Sequence, residues 1–295
     1  MRGKNHRAGG RAHAAESPGK ALRAAGVMPS KRRGQNFLVQ GGVADRIVAM
    51  ADLRPGDEVV EIGPGLGILS ERILAAPIAT LHLVELDREL AARLRQRLAG
   101  AADLIEADFL KVDLRQLIAH PPVKVIGNLP FNVAAAILRK LGEARDLIGR
   151  MVLMFQREVG ERLRAAAGEP EYAALSALTA LDWEIARHFR VEAGSFHPRP
   201  KVDAEVLCLV PRRMSLCSAD LRSRVIDVIR AGFAIRRKNL RNALGAGLRM
   251  RPDCVEAALR LANIAPTERA ERLAPWDFVR LAAALQTVIS QARDA

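Results

Sequence analysis

From Glu58 onward, short apolar runs alternate with stretches in which apolar residues recur every three or four positions. The runs Glu58–Ile62, Thr80–Glu85, Asp103–Ala107, Val123–Ile126 and Arg150–Phe155 predict strands, and Ile68–Ala75 and Arg88–Leu98 predict helices between them. Such alternation predicts an α/β unit with a parallel sheet covered on both faces. After Phe155 the pattern changes. Two stretches, Tyr172–Ala180 and Leu181–Phe189, precede "FHPRPKVDAEVLCLVP", whose run Ala204–Val210 predicts a strand joining the sheet edge as a hairpin partner. Beyond Pro211 the strands cease. Leu221–Leu248, Cys254–Ala262 and Trp276–Ala292 carry helical spacing and predict a smaller helical domain from Arg212 to Ala295.

Composition changes this picture in three ways. Of 295 residues, 49% are hydrophobic but only 4% aromatic, so the core is built mostly from Ala, Leu, Val and Ile. No run of 18 apolar residues offers a membrane span. A net charge of +13 favours a polyanionic partner such as nucleic acid over a merely solvated basic surface. The three cysteines, Cys208, Cys217 and Cys254, lack C-x-x-C spacing, which argues against a zinc site or a disulfide framework and suggests a reducing, cytoplasmic setting. No metal is expected. Residues 1–30 are basic and aperiodic, read as a disordered arm; an organelle leader or a true start at Met28 are the alternatives.

Candidate chemistry gathers at the ends of the predicted strands. "VVEIGPGLGILS" puts Gly63, Gly65 and Gly67 after the first strand, either for a tight turn or for close approach to a ligand. Glu85 ends the second strand, suited to ribose hydroxyls or to a role near a helix cap; Asp108 follows the third, suited to an adenine amino group or, again, to capping. No lysine follows the glycines, and acids at strand ends would repel a pyrophosphate. S-adenosylmethionine, with ribose, adenine and a sulfonium cation but no phosphate, fits better.

The fourth strand runs into Asn128-Leu129-Pro130-Phe131. This resembles the [DN]-P-P-[YF] signature of methyltransferases acting on exocyclic amino groups. The lone pair of adenine N6 is delocalised into the ring. Two acceptors on its hydrogens, the Asn128 side-chain oxygen and the Leu129 carbonyl, would favour a tetrahedral nitrogen aimed at the methyl group. Pro130 would stiffen the turn and Phe131 would stack on the base; otherwise the stretch is a plain turn followed by a core phenylalanine.

With "GQNFL", "VVEIGPGLG", "VELD", "ADFL", "GNLPFN", "MFQREVGERL", "YAALSAL" and "FHPRPKVD" in order from Arg32, the chain resembles the ribosomal RNA adenine dimethyltransferase family, most closely its bacterial small-subunit (16S) branch. The resemblance implies a Rossmann-like S-adenosylmethionine-dependent methyltransferase sheet, mostly parallel with seven strands, spanning residues 31–211. It implies that Asn36, Leu38, Gly63, Glu85, Asp108 and Asn128 hold S-adenosylmethionine, and that Phe196 sandwiches the target base or else packs in a hairpin. It implies dimethylation of adenines in 16S rRNA within the immature small subunit, by a protein with nothing to suggest an obligate dimer. Phe131 stands where the family usually has Tyr, and Ala204 where Ser is usual. "FAIRRKNLRNALGAGLRMR", with Arg236, Arg237, Lys238, Arg241, Arg249 and Arg251 and no acid, reads as an RNA-phosphate helix. The rivals are a large-subunit rRNA methyltransferase of the macrolide-resistance type and a non-catalytic assembly or transcription factor on the same fold.

Overall fold

The structure is a computed structural model that describes residues 35–130, 133–235 and 238–294. The basic arm, Lys31–Arg33, Phe131, Arg236 and Arg237 lie outside the described residues. The first elements are a two-residue strand β1 (Phe37–Leu38) and helix α1 (Gly41–Ala51), followed by β2 (Glu58–Ile62), α2 (Ile68–Leu74), β3 (Thr80–Glu85), α3 (Arg88–Leu98) and β4 (Asp103–Glu106). Next come α4 (Leu114–Leu117), β5 (Val123–Asn128), α5 (Ala134–Glu143), β6 (Ile148–Gln156), α6 (Arg157–Arg164) and α7 (Ala174–Ala180). Three strands then close the sheet region: β7 (Trp183–Val191), β8 (Phe196–His197) and β9 (Ala204–Pro211). The chain ends in α8 (Ala219–Phe233), α9 (Leu240–Leu248), α10 (Pro252–Leu261) and α11 (Pro275–Asp294).

Seven strands form one sheet in the order β4-β3-β2-β5-β6-β9-β7. The first five run parallel and β9 is antiparallel to both its neighbours. β9 therefore lies inside the sheet, and the edge belongs to β7. This corrects the expectation that Ala204–Val210 joins the edge: its six leading residues, Ala204 to Leu209, are all buried, as a strand covered on both faces requires. Alternation along the strands splits the core in two. Val60, Ile62, Val125, Met151, Leu153 and Leu207 meet α5 on one face; Val59, Leu81, Leu83, Ile126, Val152 and Val206 meet α1 and α2 on the other.

Leu221–Leu248, read as one helical stretch, is two helices. α8 ends at Phe233 and Asn239 caps α9 by accepting from the Asn242 N–H at 3.1 Å. These helices share a third apolar cluster with Tyr172, Ala177 and Leu181, so the helical layer is rooted in the segment that precedes β7. The Tyr172 hydroxyl donates to the Leu273 carbonyl at 2.9 Å, and its ring meets Phe233 edge-on at 5.8 Å. Between the two units lies a cleft of about 310 Å³ along α5, α7 and α8. Asp182 bridges them, accepting from both terminal nitrogens of Arg222 at 2.7 and 2.5 Å. Among the described residues no helix is long and apolar enough to cross a membrane.

Candidate active site

The carboxyl ends of the parallel strands form the site. Register aligns Ile62 with Val84 on β3 and with Gly127 on β5. The next residue on each strand is then Gly63, Glu85 or Asn128. Three of the predicted residues thus stand in one row across three adjacent strands, where ligands bind in sheets of this kind.

The glycine turn opens this row. The Gly63 N–H donates to the Val84 carbonyl at 2.9 Å, and a Cβ placed on Gly63 would lie 3.9 Å from the Asn128 carbonyl oxygen. The turn and the tetrapeptide therefore meet. Gly65 adopts φ 56°, and a Cβ there would sit 3.1 Å from the Phe37 ring. Both the backbone angle and the ring above it demand glycine.

Carboxylates dominate the row. Glu85 accepts from the Gly65 N–H at 3.0 Å and the Asp87 N–H at 2.8 Å. Its pKa is raised by burial, partly offset by these bonds. The helix-cap role belongs to its neighbour Asp87, which accepts from the Glu89 and Leu90 N–H groups at the start of α3. Asp108 lies two residues past the end of β4 and accepts from the Leu110 N–H at 3.0 Å, so it caps a 3-10 turn. Its second carboxylate oxygen is not used in that cap, so capping and ligand contact are compatible.

Glu61, the fourth residue of β2, lies two positions before the glycine turn. The structure buries it completely, with Ser70 Oγ donating to Oε2 at 2.6 Å and Oε1 lacking a partner among the described residues. Burial, aided by the nearby Glu85 charge, pushes its pKa up to about 8. Glu61 sits in the quoted stretch "VVEIGPGLG", but its complete burial with an unpartnered oxygen is visible only in the fold.

Asn128 ends β5 half-buried. Its Nδ2 donates to the Asn36 carbonyl at 3.1 Å. Leu129 is buried, and its N–H donates to the Met154 carbonyl at 3.2 Å. Pro130 accepts from the Val133 N–H at 3.2 Å, which tightens the turn into α5. Asn36 and Leu38 reach this edge through β1, which pairs antiparallel with β8: Phe37 faces His197 and Leu38 faces Phe196. The Val39 N–H donates to the Ser195 carbonyl at 2.9 Å, and Ser195 Oγ donates to Gln40 Oε1 at 2.5 Å. Phe196 is only 4% exposed and packs in the core with Leu38 and Val206. The packing alternative for Phe196 thus holds in this state, and stacking on a base would require its ring to be uncovered.

The residues present fit S-adenosylmethionine. Acceptor groups at the strand ends suit ribose hydroxyls and a cationic sulfur, and the positive-φ glycines Gly63 and Gly65 leave the turn open to close approach by a ligand. When bound, this cofactor supplies an electrophilic methyl carbon. Among the described residues no cluster of three His, Cys, Asp or Glu could hold a metal.

Comparison with known proteins supplies the lineage. The pattern of the family described as ribosomal RNA adenine dimethylase matches residues 29–287. The chain belongs to this family. It is an S-adenosylmethionine-dependent rRNA adenine dimethyltransferase. It is 44% identical over 259 residues to the ribosomal RNA small subunit methyltransferase A of Syntrophotalea carbinolica, covering 88% of this chain and 97% of that protein. It is 40% identical over 266 residues to the protein of the same name from Geobacter sulfurreducens, covering 88% and 96%. Among solved structures, the 23S rRNA methyltransferase ErmE superposes with a TM-score of 0.63 at 28% identity, covering 85% of this chain and all of that one. A dimethyladenosine transferase from Plasmodium falciparum superposes with a TM-score of 0.71 at 23% identity, covering 85% and 98%, and shares the fold.

Proposed function

We propose that this enzyme methylates the N6 amino groups of two adjacent adenines near the 3′ end of 16S rRNA, dimethylating each, during small-subunit assembly. Its partner is the immature small ribosomal subunit, and it acts as a cytoplasmic monomer. The row formed by Gly63, Glu85 and Asn128 carries the reading. It sets a methyl-donor cradle directly against an amide suited to an amino substrate.

In this proposal Asn36, Leu38, Gly63, Glu85 and Asp108 hold S-adenosylmethionine. In the first transfer Asn128 Oδ1 and the Leu129 carbonyl accept the two N6 hydrogens, and in the second one of them accepts the hydrogen that remains. This draws the lone pair out of the ring and aims it for in-line attack. Each time the N6–CH3 bond would form as the S–CH3 bond breaks, S-adenosylhomocysteine would leave and N6 would lose one proton to water. The effect is electrostatic and positional; no side chain forms a covalent bond. Pro130 fixes the turn, and Phe131 and, once base binding uncovers its ring, Phe196 supply aromatic faces for the extruded base. Residues 31–211 form the catalytic unit and 212–295 the RNA-binding unit. In the latter, Arg241 and Arg251 are already paired with Glu256 and Asp253, which leaves Lys238 and Arg249 as the better phosphate ligands of the described basic segment.

Identity of 44% to a small-subunit enzyme, against 28% to a large-subunit one, favours 16S over 23S rRNA. The test is incubation with labelled S-adenosylmethionine and unmethylated small or large subunits, followed by mass spectrometry of the digested RNA. Dimethyladenosine in the small subunit is expected. Label confined to the large subunit would move the enzyme to the macrolide-resistance branch, and no label would leave the assembly-factor reading.

A further inference from the structure

An asparagine that must present its oxygen to a substrate faces an orientation problem. Its amide has two nearly isosteric ends, and a half-turn about χ2 exchanges acceptor for donor. In this protein the problem is solved from outside the tetrapeptide. The Asn36 carbonyl, 92 residues away in sequence, receives Nδ2 at 3.1 Å. Two carbonyl oxygens facing each other would repel, so only one end of the amide can point at Asn36. Oδ1 is thereby left for the base.

The placement of the Asn36 carbonyl then matters for chemistry, and β1 sets it. Two residues of strand pairing are too few to hold a segment alone. Ser195, which is buried, supplies the remainder: its carbonyl takes the Val39 N–H at 2.9 Å and its hydroxyl donates to Gln40 Oε1 at 2.5 Å. The Phe37 ring meanwhile rests on the glycine turn at Gly65. Residues 36–40 are thus clamped between β8, the cofactor cradle and the catalytic amide.

We infer that Ser195 and Gln40 are positioning residues for methyl transfer: by stapling residues 36–40 onto β8 they seat the Asn36 carbonyl against Asn128 and keep Oδ1 aimed at the target amine. The inference rests on the assignment of Asn128 as the acceptor of the N6 hydrogens. It adds a role for two side chains that lie outside the tetrapeptide and the cofactor row.

The test uses the full chain and undermethylated small ribosomal subunits. Gln40→Ala, Gln40→Glu, Ser195→Ala and the double variant Gln40→Ala/Ser195→Ala are assayed with both substrates saturating. Enzyme concentration is counted as S-adenosylmethionine sites by calorimetry, so misfolded protein does not contribute. Displacing a reacting group by a fraction of an ångström to one ångström costs roughly 10- to 100-fold in rate. Both alanine variants should lose kcat in that range per binding site, with the KM for the subunit little changed. Gln40→Glu, which keeps the acceptor oxygen, should recover most of the rate. The double variant should be no slower than the slower single one, since both remove one bond. The inference is overturned if kcat per site equals the parent's, if Gln40→Glu is as slow as Gln40→Ala, or if the single losses multiply. Should Ser195→Ala not fold, the solvent-exposed Gln40 decides the matter. Asn128→Ala is run alongside. Full activity there defeats the acceptor assignment itself, whereas an inactive Asn128→Ala beside a fully active Gln40→Ala defeats only the staple.

Discussion

The side-chain amide of Asn128 is bonded to the main-chain carbonyl of Asn36, across 92 residues of sequence. One contact thus joins the segment that carries two predicted cofactor ligands to the tip of β5. Replacing Asn128 by Ala removes an acceptor aimed at the reacting amine. Loss of one such preorganised group costs roughly 10²- to 10³-fold in kcat, and subunit affinity should hardly move. Asn128→Asp should also be poorly active, because its carboxylate would face the Asn36 carbonyl. Single-turnover methylation together with a filter-binding assay checks both.

Glu85 is expected to act on cofactor affinity more than on turnover. Its two oxygens currently take the Gly65 and Asp87 N–H groups, and Glu85→Ala strips acceptors from the turn as well as from the ligand. Calorimetry should show S-adenosylmethionine binding weakened roughly 10- to 100-fold, in line with the loss of charge-assisted hydrogen bonds. At saturating cofactor most of kcat should return.

Gly65→Ala meets two penalties that can be separated. A left-handed backbone costs a residue with a Cβ about 1–2 kcal/mol. The new methyl would also press on the Phe37 ring, 3.1 Å away. Adding Phe37→Leu should relieve the contact and leave the backbone penalty. Cofactor affinity and thermal midpoint of the double variant should therefore lie between those of the parent and of Gly65→Ala.

The buried Glu61 makes a pH prediction. Its pKa is about 8 in the folded chain against 4.5 when unfolded. Between these values the folded state holds a proton that the unfolded state has released, so stability falls as pH rises from about 4.5 to 8 and then levels off. Glu61→Gln removes this dependence while keeping an acceptor for Ser70. Melting curves should show little difference between variant and parent near the acid end of that window, and the variant melting higher at its alkaline end.

Asp182 is buried and holds Arg222 through two bonds at the junction of sheet and helical layer. Arg222→Met leaves that carboxylate short of its main partner, a change that costs roughly 3 kcal/mol when uncompensated. Asp182→Asn in the same chain should return most of it. Urea unfolding of the parent, both single variants and the double one measures the coupling.

Much of the sheet could be read from the residues alone. β2 and β3 begin and end where the sequence predicts them, because Val59, Val60 and Ile62 and then Leu81, Leu83 and Val84 concentrate apolar β-formers in short runs even though Glu58, Glu61, His82 and Glu85 interrupt or bound them. The row of Gly63, Glu85 and Asn128 followed from three strand ends. β7 was harder: its residues from Glu184 to His188 are mostly exposed and a register shift interrupts the pairing, so no clean period survives. β1 and β8 were invisible, since a two-residue strand exists only through a partner about 160 residues away. The same long range concealed the contact between Asn128 and Asn36. The burial of Phe196 was hidden too, for an aromatic residue beside prolines looks alike whether it serves a ligand or a core.

The interior position of β9 has one further consequence. It leaves β7 as the outermost strand, whose unpaired backbone could recruit a neighbouring copy into a growing aggregate. That rim carries Glu184, Arg187, His188 and Arg190 in exposed positions and is kinked by the register shift after Ile185. Charge and kink together deny a second molecule a flat template. The strand that closes the sheet on that side thus also guards it against edge-to-edge stacking.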